Sequence, residues 1–224
     1  MPQPPLPAVL PVFPLTGSLL LPGNYLPLNV FEPRYRNMVA DAMAGERTIG
    51  MIQPRLPDPA DQLGSWGEQP DPELYAVGCA GRLARCEPQP DGRYHVVLQG
   101  VMRFRVRGEL PLHRGYRQVE ADYAEFAGDL EEAAVELETG ALLSAVRTFS
   151  RAHGLELDFT LLGGLPGITL LNGLAAALPF GAAEKQALLE AADPDERREL
   201  LLTLLQMGVP RGAARERFVP PTVH

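Results

Sequence analysis

One lysine, four histidines, a run of acids and a row of arginines are the residues of this sequence that could do chemistry. A serine–lysine dyad needs a desolvated lysine beside a serine. Lys185, the only lysine, stands between Glu184 and Gln186, a charged turn that predicts a solvated surface residue. A serine–histidine triad needs an oriented imidazole. His95, His113, His153 and His224 stand alone, and no G-x-S-x-G elbow accompanies them. There is no H-E-x-x-H and no paired C-x-x-C for a metal. No glycine-rich phosphate loop ends in Lys and Ser/Thr, and no G-x-G-x-x-G opens a helix after a strand. The sequence therefore predicts no catalytic residue, no metal ligand and no cofactor.

Three features leave two readings each. The acids Asp129, Glu131, Glu132, Glu136 and Glu138 resemble paired carboxylates. They also suit the first turns of a helix, where negative charge complements the dipole, and that reading is preferred. Arg103, Arg105 and Arg107 alternate with Met102, Phe104 and Val106, so a strand would put the arginines on one face. That face is either simply solvated or a basic strip for an acidic peptide or RNA phosphates. Trp66, the only tryptophan, lies in a proline-rich loop. It either pins the loop to the body of the protein or offers an aromatic anchor to a partner. Tyr75, where the next strand begins, joins it as a candidate contact.

The elements that would position these residues change character near Tyr123. Strand-like runs precede it: Val9 to Phe13, Tyr25 to Val30, Thr48 to Ile52, Tyr75 to Cys86, Tyr94 to Gln99, a further strand opened by Gly100, and Tyr116 to Tyr123. Pro33 through Ala44 carries helical spacing, with proline in the first turn and Gly45 as a stop. Asp91-Gly92 marks a hairpin. Residues 53–72 form a long loop rich in Pro and Asp. After Tyr123 the pattern is helical: Asp129 to His153, a short helix ending before Pro179, Glu184 to Ala191, and a helix capped at Asp193-Pro194. The fold class is α+β, with a barrel-like β domain over residues 1–124, a helical domain over 125–208, and a poorly ordered tail over 209–224.

The chain has 224 residues, enough for one large or two small domains, and a formal net charge of −8. That charge argues against broad nucleic-acid binding, which needs a positive field. Cys79 and Cys86 are seven residues apart along a strand, poorly placed to bridge, and fit a reducing compartment. Prolines interrupt the apolar stretch from Val9 to Phe31, so it predicts neither a signal peptide nor a membrane helix. The expectation is a cytoplasmic protein.

Several stretches together resemble the Lon protease N-terminal, substrate-binding domain family. They are Leu10-Pro11-Val12-Phe13-Pro14-Leu15, Leu21-Pro22-Gly23 and Leu28-Asn29-Val30-Phe31-Glu32-Pro33-Arg34-Tyr35. Val77-Gly78-Cys79-Ala80, Asp91-Gly92-Arg93-Tyr94 and Leu98-Gln99-Gly100-Val101-Met102-Arg103-Phe104 follow. Glu184 to Glu190 and Arg197 to Leu205 resemble the family's helical part, so the likeness runs from about Leu10 to Met207. It implies a PUA-like β pseudo-barrel followed by an α-helical bundle. It also implies a non-catalytic module that binds unfolded or extended polypeptides, without ATPase or protease modules. An RNA-binding PUA-like barrel is the alternative. The expected places for a ligand are the loop around Trp66 and the seam between the barrel and the helices from Asp129.

Overall fold

The computed structural model describes residues 5–55, 72–132 and 135–209. The chain divides into two compact units, Met1–Leu130 and Glu131–His224, each with a buried core of its own. The division falls six residues after the boundary expected at 124/125. A 3-10 segment, Ala124–Leu130, belongs to the first unit because its Asp129 binds Arg103 there.

Among its described residues the first unit holds six strands and one α-helix: β1 (Val9–Pro14), β2 (Tyr25–Val30), α1 (Pro33–Ala44), β3 (Thr48–Ile52), β4 (Val77–Pro88), β5 (Tyr94–His113) and β6 (Tyr116–Asp122). β1 and β3 are parallel, and the other pairings are antiparallel. The pairings run from β5 through β4, β3, β1 and β6 back to β5, with β2 outside this circuit on β5. Leu10, Val12, Ile52, Ala80, Phe104 and Val119 fill the core. Gly78 leaves room for the Phe104 ring. A β-carbon there would lie 2.6 Å from both Phe104 Cζ and the Met51 carbonyl oxygen.

Gly100 does not open a new strand. β5 continues through it for 20 residues. Gly100 pairs with Gly81 and Met102 with Ala80, so Val101 is the extra residue of a bulge. The Asp91-Gly92 turn is a hairpin turn: Gly92 has φ +81°, and the Gln89 N–H donates to the Arg93 carbonyl at 2.8 Å.

The second unit is helical: α2 (Gly140–His153), α3 (Phe159–Gly163), α4 (Gly167–Ala177), α5 (Ala182–Glu190) and α6 (Pro194–Met207). The helix expected from Asp129 is absent over its first part, and α2 begins only at Gly140. Asp129 and Glu132 are committed elsewhere, as partners of buried arginines. On α6 the buried stripe is Arg197, Leu201 and Leu205, four residues apart, while Leu200 and Leu204 are half-buried. The Asp193 carboxylate accepts from the Glu196 N–H at 2.9 Å and caps that helix. No helix among the described residues is long and apolar enough to cross a membrane. Apart from Val209, the tail expected at 209–224 lies outside the described residues.

Candidate binding surface

The arginine row is not a free basic strip. Arg103 is 3% exposed, because the segment Ala124–Leu130 covers that part of β5. Its Nε and a terminal nitrogen donate to Asp129 at 3.1 and 2.7 Å, and its backbone N–H donates to the same carboxylate at 2.8 Å. Its guanidinium lies 4.8 Å over the Phe126 ring. Arg105 makes a two-pronged pair with Glu125 at 2.6 and 2.7 Å. Arg107 pairs with Asp122 at 2.9 Å. Hydrogen bonding to Arg105 holds the Glu125 carboxyl below its usual range. The Ala124 N–H, and then Arg107, do the same for Asp122. Each arginine therefore meets a carboxylate from Asp122–Asp129, and the row is locally neutral. Alternation fixed which face the arginines share. It carried no information about what lies over that face.

Trp66 lies outside the described residues. Among the described residues on either side, Pro54 bridges Leu74 and the Tyr75 N–H donates to the Gln53 carbonyl at 2.9 Å. Tyr75 is half-buried, and the Arg55 guanidinium lies 5.2 Å over its ring.

Phe31-Glu32-Pro33-Arg34-Tyr35 is mainly structural. Pro33 starts α1, Glu32 pairs with Arg34 at 3.0 Å, and the Tyr35 ring packs 4.2 Å from that of Phe13. Phe31 is the exception and stands 50% exposed.

The same stretch of chain contains an open strand edge. Among the described strands, β2 pairs only with β5. The Gly100 N–H donates to the Asn24 carbonyl at 2.8 Å, which fixes the parity of the ladder. Leu26, Leu28 and Val30 turn their backbone groups toward β5. Tyr25, Pro27 and Asn29 turn theirs toward the open side. Pro27 thus sits where its missing N–H costs no ladder bond. The side chains of Tyr25, Pro27 and Asn29 are exposed, Tyr25 at 61%, while Leu26 and Leu28 are half-buried. No charged residue occurs from Tyr25 through Phe31. The sequence carried only a weak signal for this edge: Pro27 fits an edge strand, but Pro11 stands inside β1, which pairs with both β3 and β6.

The helical unit buries the ion pair of Arg197 and Glu132. Arg197, 0% exposed, donates to Glu132 at 2.7 Å, to Asn172 at 2.8 Å and to the Leu188 carbonyl at 3.1 Å. Lys185 is not the solvated residue expected. It is 9% exposed, its ammonium donates to the Ala176 carbonyl at 3.0 Å in the last turn of α4, and burial lowers its pKa. Helical spacing alone did not show that the Lys185 side of α5 faces α4. Depressions open on the described residues of this unit. One of about 520 Å³ lies around Arg147, Arg151 and Phe159, and one of about 390 Å³ lies between α2 and α6. Among the described residues, no group of three or more His, Cys, Asp or Glu is arranged to hold a metal ion.

A family model described as the ATP-dependent protease La (LON) substrate-binding domain matches residues 9–207. The chain is 30% identical over 207 residues to Lon protease 2 of Myxococcus xanthus, covering 89% of this chain and 24% of that protein. It is 30% identical over 202 residues to Lon protease 2 of Sorangium cellulosum, covering 87% of this chain and 24% of that one. The chain thus spans about a quarter of the length of these curated relatives. Among solved structures, the Lon N-terminal domain protein from Xanthomonas campestris is similar with a TM-score of 0.59 and 27% identity, covering 87% of this chain and 97% of that one. The N-terminal domain of the Mycobacterium avium complex Lon protease has the same TM-score at 19% identity, covering 88% of this chain and 98% of that one, a likeness of fold.

Proposed function

The chain belongs to the family of LON substrate-binding domains, and from that premise we propose that it is a non-catalytic module that binds unfolded or extended segments of protein substrates. The family match over residues 9–207 carries this reading. The finer architecture goes with it. The first unit is a PUA-like pseudo-barrel, supported by the circuit of strand pairings. The second is a helical bundle. Its buried polar residues serve packing, with Arg197 bonded to Glu132 and Asn172 and Lys185 to the end of α4. Two free thiols, one buried, fit a cytoplasmic location.

The alternative, RNA binding through the arginine row, gains no support from the pairing of each arginine with a carboxylate. Phosphate binding through that row would first have to displace Asp129, Glu125 and Asp122. Filter binding of tRNA at low salt checks this, with negligible retention expected.

The main test is a panel of chemically unfolded proteins and peptides, read by fluorescence anisotropy and by suppression of aggregation. Saturable binding to unfolded, and not native, forms is expected. Absence of binding across the panel at high micromolar concentration removes the reading.

A further inference from the structure

We propose that the open edge of β2 takes an extended polypeptide as an added strand, hydrogen-bonded to the backbone of Tyr25, Pro27 and Asn29. The inference rests on the polypeptide-binding reading and specifies how the segment is held. The backbone argument is geometric. The ladder parity leaves the N–H groups of Tyr25 and Asn29 and the carbonyls of Tyr25, Pro27 and Asn29 facing away from β5. Only another extended backbone offers donors and acceptors at the matching spacing. Six residues of strand give an edge of roughly 20 Å.

Side chains define the segment's chemistry. On one face the added strand would lie beside half-buried Leu26 and Leu28. On the other it would lie beside Tyr25 and Pro27, with Phe31 just past the strand end. The edge is uncharged throughout. An uncharged segment with apolar side chains at alternate positions fits it, the kind of segment that folded proteins bury and unfolded ones expose. Natural edges are usually blocked by charge, by bulges or by proline. Here proline is the one such device, and it removes a single donor. Two copies meeting edge to edge would align two such gaps, whereas a substrate strand meets only one.

The test uses the full chain and a fluorescein-labelled ten-residue peptide of alternating Thr and Val with a terminal Lys. Two further peptides carry N-methyl groups on every second amide or on every amide. Strand addition uses the donors along one edge of the peptide only. The fully methylated series should bind about tenfold more weakly, and the half-methylated series, which keeps one free edge, nearly as well as the parent. Asn29→Pro removes an outward donor without touching the ladder to β5. It should weaken the parent peptide about fivefold while keeping the wild-type circular dichroism. If that variant does not fold, the methylated series decides alone. Equal binding of both series, or a folded Asn29→Pro variant that binds like wild type, overturns the inference and leaves the polypeptide-binding reading standing. Binding of unfolded proteins without binding of the parent peptide also overturns it. Binding of neither removes the reading beneath it. Sedimentation covers the remaining occupant: a dimer that Asn29→Pro abolishes would assign the edge to a second copy and overturn the inference.

Discussion

At the scale of the residue, the charges that looked most available for chemistry are the ones most completely used by the fold. Arg103 and Asp129 form a buried pair in the first unit, and Arg197 and Glu132 form one in the second. Removing one partner strands the other charge in a medium that solvates it poorly. Asp129→Ala is therefore expected to destabilise the first unit by about 3 kcal/mol or more. Asp129→Leu combined with Arg103→Met should recover much of that loss, measured by urea unfolding. Glu132→Ala should do comparable damage to the helical unit. Lys185 has a pH signature. Its folded pKa is lowered, so the unfolded chain holds the proton to higher pH than the native chain does. Stability should then rise as pH climbs toward the ordinary lysine value, and fall as pH drops through the lowered one. Thermal melts at successive pH values just below the ordinary lysine value of about 10.4 should show this rise in the wild type and not in Lys185→Met. None of these roles was legible in the sequence. Alternation and helical spacing sort residues by face, and the partner that covers a face comes from a remote segment such as Ala124–Leu130.

At the scale of the element, what was legible was local. The first-turn proline and terminal glycine marked α1 over Pro33–Ala44, and Asp-Gly marked the hairpin. Tyr25 to Val30 was legible as a strand, whereas its place at the edge was not, because Pro11 stands likewise inside β1, which pairs on both sides. Residues 129–139 have the composition of a helix, yet the α-helix begins at Gly140 because Asp129 and Glu132 are claimed by tertiary partners. Packing overrode propensity there. Gly78 illustrates the same dependence on remote contacts, since its reason is the Phe104 ring of a neighbouring strand. Gly78→Ala should cost about 1–3 kcal/mol. Phe104→Leu vacates part of the space the new methyl needs, so the double variant should be less destabilised than the sum of the single ones, as a double-mutant cycle would show. At the edge of β2, Tyr25→Asp would place a charge on the otherwise uncharged strip. It should weaken peptide binding severalfold with little change in stability, because Tyr25 is already exposed.

At the scale of the whole molecule, two units, each with its own core and its own buried ion pair, follow one another along the chain. The β-then-α order was readable from the change of pattern near Tyr123. The exact boundary was not, because a 3-10 segment has too few residues to show a period. The net charge of −8 and the pairing of each arginine of the row with a carboxylate give no support to phosphate binding there. The direct measurement is titration of the full chain into a fluorescein-labelled, permanently unfolded polypeptide, followed by anisotropy, with the same polypeptide in native form as the control. Saturable binding below about 100 μM, or roughly −5.5 kcal/mol, is predicted for the unfolded form alone. A flat titration well beyond that concentration, or equal binding of the native form, would contradict the account.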